Sequence, residues 1–352
     1  MSTPSQRAFD QLHADNLAKY ELKIKKAYLQ AIREISFLAQ PLKLDANGEF
    51  FFKNNKKVNA AVDAILKELN SNIYGATTFA IENEWDLAND KTNEIANWVF
   101  GENIDKLTPE QLNKYFTNNE SAKNAFIKRK VGGLNLSQKV WNNTTQFKQE
   151  LELALELGIG KGKSADNLSR SVRQYLNEPD RLFRRVRDEN GVLRLSKAAK
   201  AYSPGRGVYR SSYKNALRLT RNENNRAYES AQKEKREQQE FVVGVRIAVS
   251  PAHNPANDKG GVSCLALQGN YPKDFDFTYK HHVNCICTSF DILKTREELD
   301  QDVQQILQGK TPNTKSANEV NKIPDSFTNY FKENEKKFEN WATKPMVLTL
   351  NN

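Results

Sequence analysis

Residues 281–293 read His281-His282-Val283-Asn284-Cys285-Ile286-Cys287-Thr288-Ser289-Phe290-Asp291-Ile292-Leu293. The second half of this stretch, 286–293, is rich in β-branched and aromatic residues and predicts a strand. A second such run lies at 241–249 and is ended by Ser250-Pro251. Between the two runs, 255–261 reads as a loop, Tyr271-Pro272 as a turn and 275–279 as an extended piece. Short strands around a Cys/His-rich window describe a compact α+β module over 241–293.

Outward from that module the pattern changes to helix. In 5–40, Phe9, Leu12, Leu17, Tyr20, Ile24, Tyr28, Ile32 and Ile35 recur at three- to four-residue spacing, and Pro41 ends the run. Helices are also predicted at 58–69 and 73–98. Thr108-Pro109 marks another helix start, and Ser137 is the expected cap of a helix carrying Val140, Trp141, Phe147, Leu151 and Leu155. Gly158-Ile159-Gly160-Lys161-Gly162-Lys163-Ser164 resembles a phosphate loop only superficially. It has three residues where that motif needs four, and it follows a helix rather than a strand. It reads as a joint with Ser164 capping the next helix. Asn190-Gly191 predicts the turn of a small hairpin, and 209–239 a long basic helix with a weak apolar stripe. Beyond the module, 297–307 is a short helix, 309–321 a linker, and a last helix from Pro324 carries Phe327, Tyr330, Phe331, Phe338 and Trp341. The expected fold is mainly α with a small α+β C-terminal module: long helices in the N-terminal half, short antiparallel strands around the Cys/His cluster. The expected division is 1–160 helical, 161–240 basic helical with a hairpin, 241–293 the Cys/His module, and 294–352 linker and aromatic helix.

The chain has 352 residues and a net charge of +10. Its mean hydropathy is −0.75, yet 18 Phe, 12 Tyr and 4 Trp argue against wholesale disorder. No apolar run approaches the roughly 20 residues that span a bilayer, and the first twenty residues lack a signal-peptide core, so a cytoplasmic, membrane-free protein is expected. The basic excess is local. Residues 181–226 hold ten Arg and three Lys against three acids, which accounts for the whole excess. Such a block suits phosphate, because each contact releases condensed counterions. Arg181, Arg184, Arg185, Arg187, Arg206, Arg210 and Arg218 are the candidate contacts to double-stranded DNA. A solvated basic face or an acidic protein partner would explain the same block.

The three cysteines are Cys264, Cys285 and Cys287. An odd number argues against a disulfide framework. Zinc takes sulfur and imidazole in a tetrahedron, and Cys264, His282, Cys285 and Cys287 would supply Cys3His as a structural site. His253 or His281 could replace one ligand. On a regular strand, C-x-C sends its side chains to opposite faces, so the ligand set demands a kink. The competing reading is that the cysteines simply fill a core.

The order of motifs over 216–293 resembles the Mu F-like phage head morphogenesis family. Arg221-Asn222-Glu223 is similar to that family's Arg-Thr-Glu-like helix element. Asp258, Cys264 and Gly269 are similar to its Asp/Cys loop and glycine, and His282-x-x-Cys285-x-Cys287 to its closing His-Pro-x-Cys-Arg-Cys. Val283 and Ile286 stand where the family has Pro and Arg. The stretch 269–275 resembles a variant from Bacteroidetes-type prophages. The resemblance covers about 80 residues and implies a minor head (capsid) protein rather than an enzyme. It implies action in head morphogenesis at the portal and in DNA packaging or delivery, with portal and capsid proteins as partners. The expected location is the host cytoplasm during assembly, then the virion head. The alternative from another class is a metal-dependent nuclease or other zinc-stabilised DNA-binding protein, suggested by His281-His282 beside Asn284 and the cysteines.

Overall fold

The structure is a computed structural model that describes residues 4–179, 186–187, 189–194, 201–205, 207–250, 253, 262–339 and 345–351. Helix α1 (Pro4–Ala39) follows from the spacing of Leu17, Tyr20, Ile24, Tyr28, Ile32 and Ile35, all buried. Helix α2 (Lys56–Phe100) fuses the two helices expected at 58–69 and 73–98. The physical reason is continuity: Val62, Leu66, Leu69, Ile73, Ala80, Ile81, Trp85, Ala88, Ile95 and Val99 form one buried stripe, and Asn70-Ser71-Asn72 contains neither Pro nor Gly to break it.

The next helices are α3 (Pro109–Phe116), α4 (Glu120–Lys128), α5 (Leu136–Ile159) and α6 (Ala165–Asn177). Thr108 caps α3 as expected, in a reciprocal box with Gln111. The cap of α5 is Asn135, not Ser137. Asn135 accepts from the Gln138 backbone while the Gln138 side chain accepts from Asn135 N, which places Ser137 inside the first turn. Ser164 caps α6, and the glycine stretch before it is a helix joint. A methyl group at Gly158 would lie 2.3 Å from Leu168 Cδ2, so close packing explains that glycine, without any phosphate. Strands β1 (Val186–Arg187) and β2 (Leu193–Arg194) pair antiparallel around Asn190-Gly191, with Gly191 at φ 75°.

Helix α7 (Ser212–Gln238) precedes a three-stranded antiparallel sheet of order β4-β3-β5. Its strands are β3 (Val242–Ala248), β4 (Gly269–Tyr271) and β5 (Thr288–Leu293). The stretch 275–279, expected to be extended, forms no strand. Helices α8 (Arg296–Leu307), α9 (Asp325–Glu333), α10 (Glu335–Glu339) and α11 (Met346–Leu350) follow. Trp341, expected among the aromatic anchors of the last helix, lies outside the described residues. Among the described residues no helix is long and apolar enough to cross a membrane.

The chain forms two compact units whose boundaries fall inside α1, α2 and α7 and at the end of α4. One unit comprises 19–78 and 128–220. At its centre Tyr28 meets Phe147 and Tyr213 edge-on, with ring centroids 5.0 and 5.4 Å apart. Beside them the buried Glu150 carboxylate accepts from Ser212 N, Tyr202 Oη and Gln146 Nε2. Burial outweighs these bonds and raises Glu150 to about 7.

The other unit comprises 1–18, 79–127 and 221–352. Phe241 and Val242 join a cluster with Val99, Phe100, Tyr115, Leu299, Val303 and Ile306. Val245 and Ile247 join a second cluster that holds all three cysteines, Tyr271, Phe275 and Phe277, and that is closed by Phe327, Phe331, Phe338 and Val347. The C-terminal aromatic helices therefore roof the cysteine module. The pattern of 209–239 predicts a long basic helix with only a weak apolar stripe, suited to a surface pressed against another macromolecule. In the structure the part of α7 from 221 onward belongs to this unit, and between 221 and 240 only Glu237 is exposed.

Candidate metal centre

Two turns bring the ligands together. Cys264 sits in a turn closed by Leu267 N donating to Cys264 O, and Ser263 N donates to Tyr330 Oη of α9. On the other side, Cys285 N donates to His282 O, and Asn284 adopts φ 62°. Asn and Asp tolerate this left-handed conformation better than most residues. Cys285, Ile286 and Cys287 lie before β5 begins, in irregular backbone. That is the kink the C-x-C pair requires, and both sulfurs turn toward Cys264.

The side-chain ligand atoms of Cys264, His281, Cys285 and Cys287 all lie within 4.8 Å of one another, and all four residues are buried. Cys264 Sγ is 3.6 Å from Cys285 Sγ. A tetrahedron with zinc–sulfur bonds of about 2.3 Å has sulfur–sulfur edges of roughly 3.8 Å, so this edge already has the required length. His281 is 2% exposed, and neither of its ring nitrogens has a hydrogen-bond partner. A buried imidazole with both nitrogens unsatisfied is costly unless something binds them. The donor set and this orphaned ring both fit a soft-to-borderline dication such as zinc.

The ring grouped with the three sulfurs is thus that of His281, the alternate, rather than that of His282. His282 is part-exposed and reaches only Cys264, with Nε2 at 3.0 Å from Sγ, while its Nδ1 donates to Val283 O at 2.8 Å. His253 is not in the four-residue set. The thiols share protons. Bonds to Cys285 and Cys287 push Cys264 well above the ordinary thiol range. Burial would raise Cys285 too, but Cys264, Cys287 and His281 more than offset it and hold Cys285 well below that range. The bond from Cys264 and the Lys280 charge pull Cys287 down, yet Cys285 and burial push it up to about 12. Binding of a dication by the three sulfurs would release the protons they carry.

Helix α7 holds the second turn by its backbone. Asn222 Oδ1 accepts from Asn284 N at 3.0 Å, and Asn225 Nδ2 donates to Cys285 O at 3.2 Å. Asn225 Oδ1 is 2.9 Å from His13 Nε2, and His13 Nδ1 pairs with the buried Glu84. Glu229 pairs with Lys280 at 3.1 Å and accepts from Ser289 Oγ at 2.7 Å. Burial alone would lower Lys280, but Glu229 and the Cys285 and Cys287 sulfurs leave it raised. Asn222 entered the sequence reading only as the middle of the Arg221-Asn222-Glu223 element, and Asn225, Glu229, Lys280 and His13 were not singled out. The i, i+3, i+7 spacing of 222, 225 and 229 was a readable signal of a polar stripe; the pairing of His13 with Glu84, 71 residues away, had no local signal.

Of the family-motif residues, Arg221 lies on α7, and Glu223 is buried and paired with Arg226 at 3.1 Å. Gly269 opens β4 opposite Ile247. Asp258 lies outside the described residues, as do Arg181, Arg184, Arg185 and Arg206. Arg187 is on β1. Arg210 donates to Tyr202 O, and Arg218 donates to Gly207 O and stacks over Tyr209 at 4.3 Å. The chain matches no family model, no curated protein and no solved structure.

Proposed function

We propose that this chain is a minor head protein of the Mu F-like type, a structural component acting in head morphogenesis at the portal and in DNA packaging or delivery. In this reading Cys264, His281, Cys285 and Cys287 hold a structural zinc ion that clips the 262–268 turn to the 281–287 turn. The observation that carries the reading is the contact between two elements the resemblance rests on. The Arg221-Asn222-Glu223 helix and the closing cysteine turn, some 60 residues apart, are joined by the Asn222–Asn284 and Asn225–Cys285 hydrogen bonds. Motif order along the chain thus corresponds to one spatial unit.

A catalytic zinc keeps a position open to water, whereas a structural one is enclosed by four protein ligands. All four ligands here are protein side chains and buried, which supports the structural role over the nuclease. The DNA contacts fall to the arginines of 181–187, with Arg206, as phosphate contacts that carry no sequence information.

The test combines binding and cleavage. DNA affinity should fall steeply with salt, and changing Arg181, Arg184, Arg185 and Arg187 to Ala should flatten the log–log slope by about one for each phosphate no longer neutralised. A flat salt response, or an unchanged slope in the variant, refutes the DNA role. Nicking of plasmid with Mg²⁺ or Mn²⁺ that disappears in His281→Ala would replace the structural reading with the nuclease.

A further inference from the structure

Three thiolates and a neutral imidazole around a dication carry a formal charge of −1. Buried charge is unfavourable unless a partner compensates it. The cation placed to do so is Lys280, the residue immediately before His281. It is 3% exposed, and its Nζ donates to Cys287 O at 2.7 Å, so its ammonium is anchored on the backbone of a ligand residue. Its other partner is Glu229, also 3% exposed, at 3.1 Å. A Lys–Glu pair alone would be neutral and would need no metal. Its position against a cluster of ionisable sulfurs is what calls for explanation. Lys280 also holds a backbone φ of 50°, which a lysine rarely adopts. The surrounding fold therefore fixes this residue in place despite its local preference.

Resting on the metal reading above, we infer that Lys280 is the built-in counter-ion of the metal–thiolate group and that Glu229 is its tether. The two residues then act on metal affinity with opposite signs. Lys280 favours three thiolates on a dication. Glu229 orients Lys280 but adds a negative charge that opposes the loaded state. A purely structural bridge would behave differently, since breaking it from either end would weaken the site alike.

The experiment measures Zn²⁺ affinity of the full chain by competition with a chromophoric chelator, for wild type, Lys280→Met, Glu229→Gln and the double variant. Lys280→Met should weaken binding about 10–100-fold, the range for residues that support metal ligands. Glu229→Gln should bind as tightly as wild type or more tightly, because the amide oxygen still holds the ammonium while the opposing charge is gone. The double variant should recover part of the affinity that Lys280→Met forfeits. Glu229→Gln is isosteric, so it remains informative if Lys280→Met folds poorly. Weakening of tenfold or more in Glu229→Gln overturns the proposal, as does an unchanged affinity in a folded Lys280→Met. A wild-type chain that binds no Zn²⁺ instead overturns the metal reading itself.

Discussion

Replacing His281 by Leu separates a metal ligand from a core-filling histidine. The imidazole is buried, both ring nitrogens lack partners, and its ring meets Phe277 at 4.9 Å between centroids. Without metal, an unsatisfied buried polar group costs about 1–3 kcal/mol. Leucine removes that penalty and keeps apolar contact with Phe277. In chelator, His281→Leu should therefore be more stable than wild type by about 1–3 kcal/mol, less whatever its imperfect fit costs. Adding zinc at 100 to 1,000 times the dissociation constant should stabilise wild type by about 2.7–4.1 kcal/mol and the variant far less. The order of stabilities should invert. Urea unfolding in chelator and in excess zinc reads both arms directly. If His281→Leu is the less stable protein in chelator and zinc leaves wild type unmoved, the histidine is packing and the reasoning fails. If His282→Leu, rather than His281→Leu, abolishes the zinc effect, the fourth ligand has been misplaced.

Glu150 gives a pH signature in the other unit. Its carboxyl is raised from 4.5 to about 7 by burial, so the folded state holds its proton more tightly than the unfolded state. The resulting stability is fully present below about 4.5 and is lost as pH rises through about 7, on the order of 3 kcal/mol at most. Urea titrations of Glu150→Gln across this range should show a flatter profile, and an unchanged slope would assign the pH dependence elsewhere. In the aromatic roof, Phe331 is 5% exposed and packs on Phe327 and Phe338 with centroids at 4.8 and 5.4 Å. Truncation to Ala should lower the unfolding free energy by about 3–5 kcal/mol; a decrease under about 1 kcal/mol by urea denaturation would mean that the roof is not part of the cooperative core.

Local order was legible in the sequence because it depends on nearest neighbours. The three- to four-residue spacing in α1, the Thr108 and Ser164 caps, the Asn190-Gly191 turn and the β-branched runs at β3 and β5 each follow from a few adjacent residues. So does the nearness of Cys285 and Cys287, because C-x-C is itself a short pattern. What the sequence left open depended on distance. Adjacent His281 and His282 offer the same chemistry, and only the left-handed turns at Lys280 and Asn284, with the packing of Phe277, decide which ring is enclosed with the sulfurs. Helix α7 read as a weakly apolar surface because its buried face is polar. Asn222, Asn225, Glu229 and Arg236 are satisfied by partners roughly 50–60 residues further along the chain, in the cysteine turn and β5. Hydrophobic periodicity detects burial against apolar surface. It cannot detect burial against hydrogen-bonding groups that only the tertiary fold brings within reach.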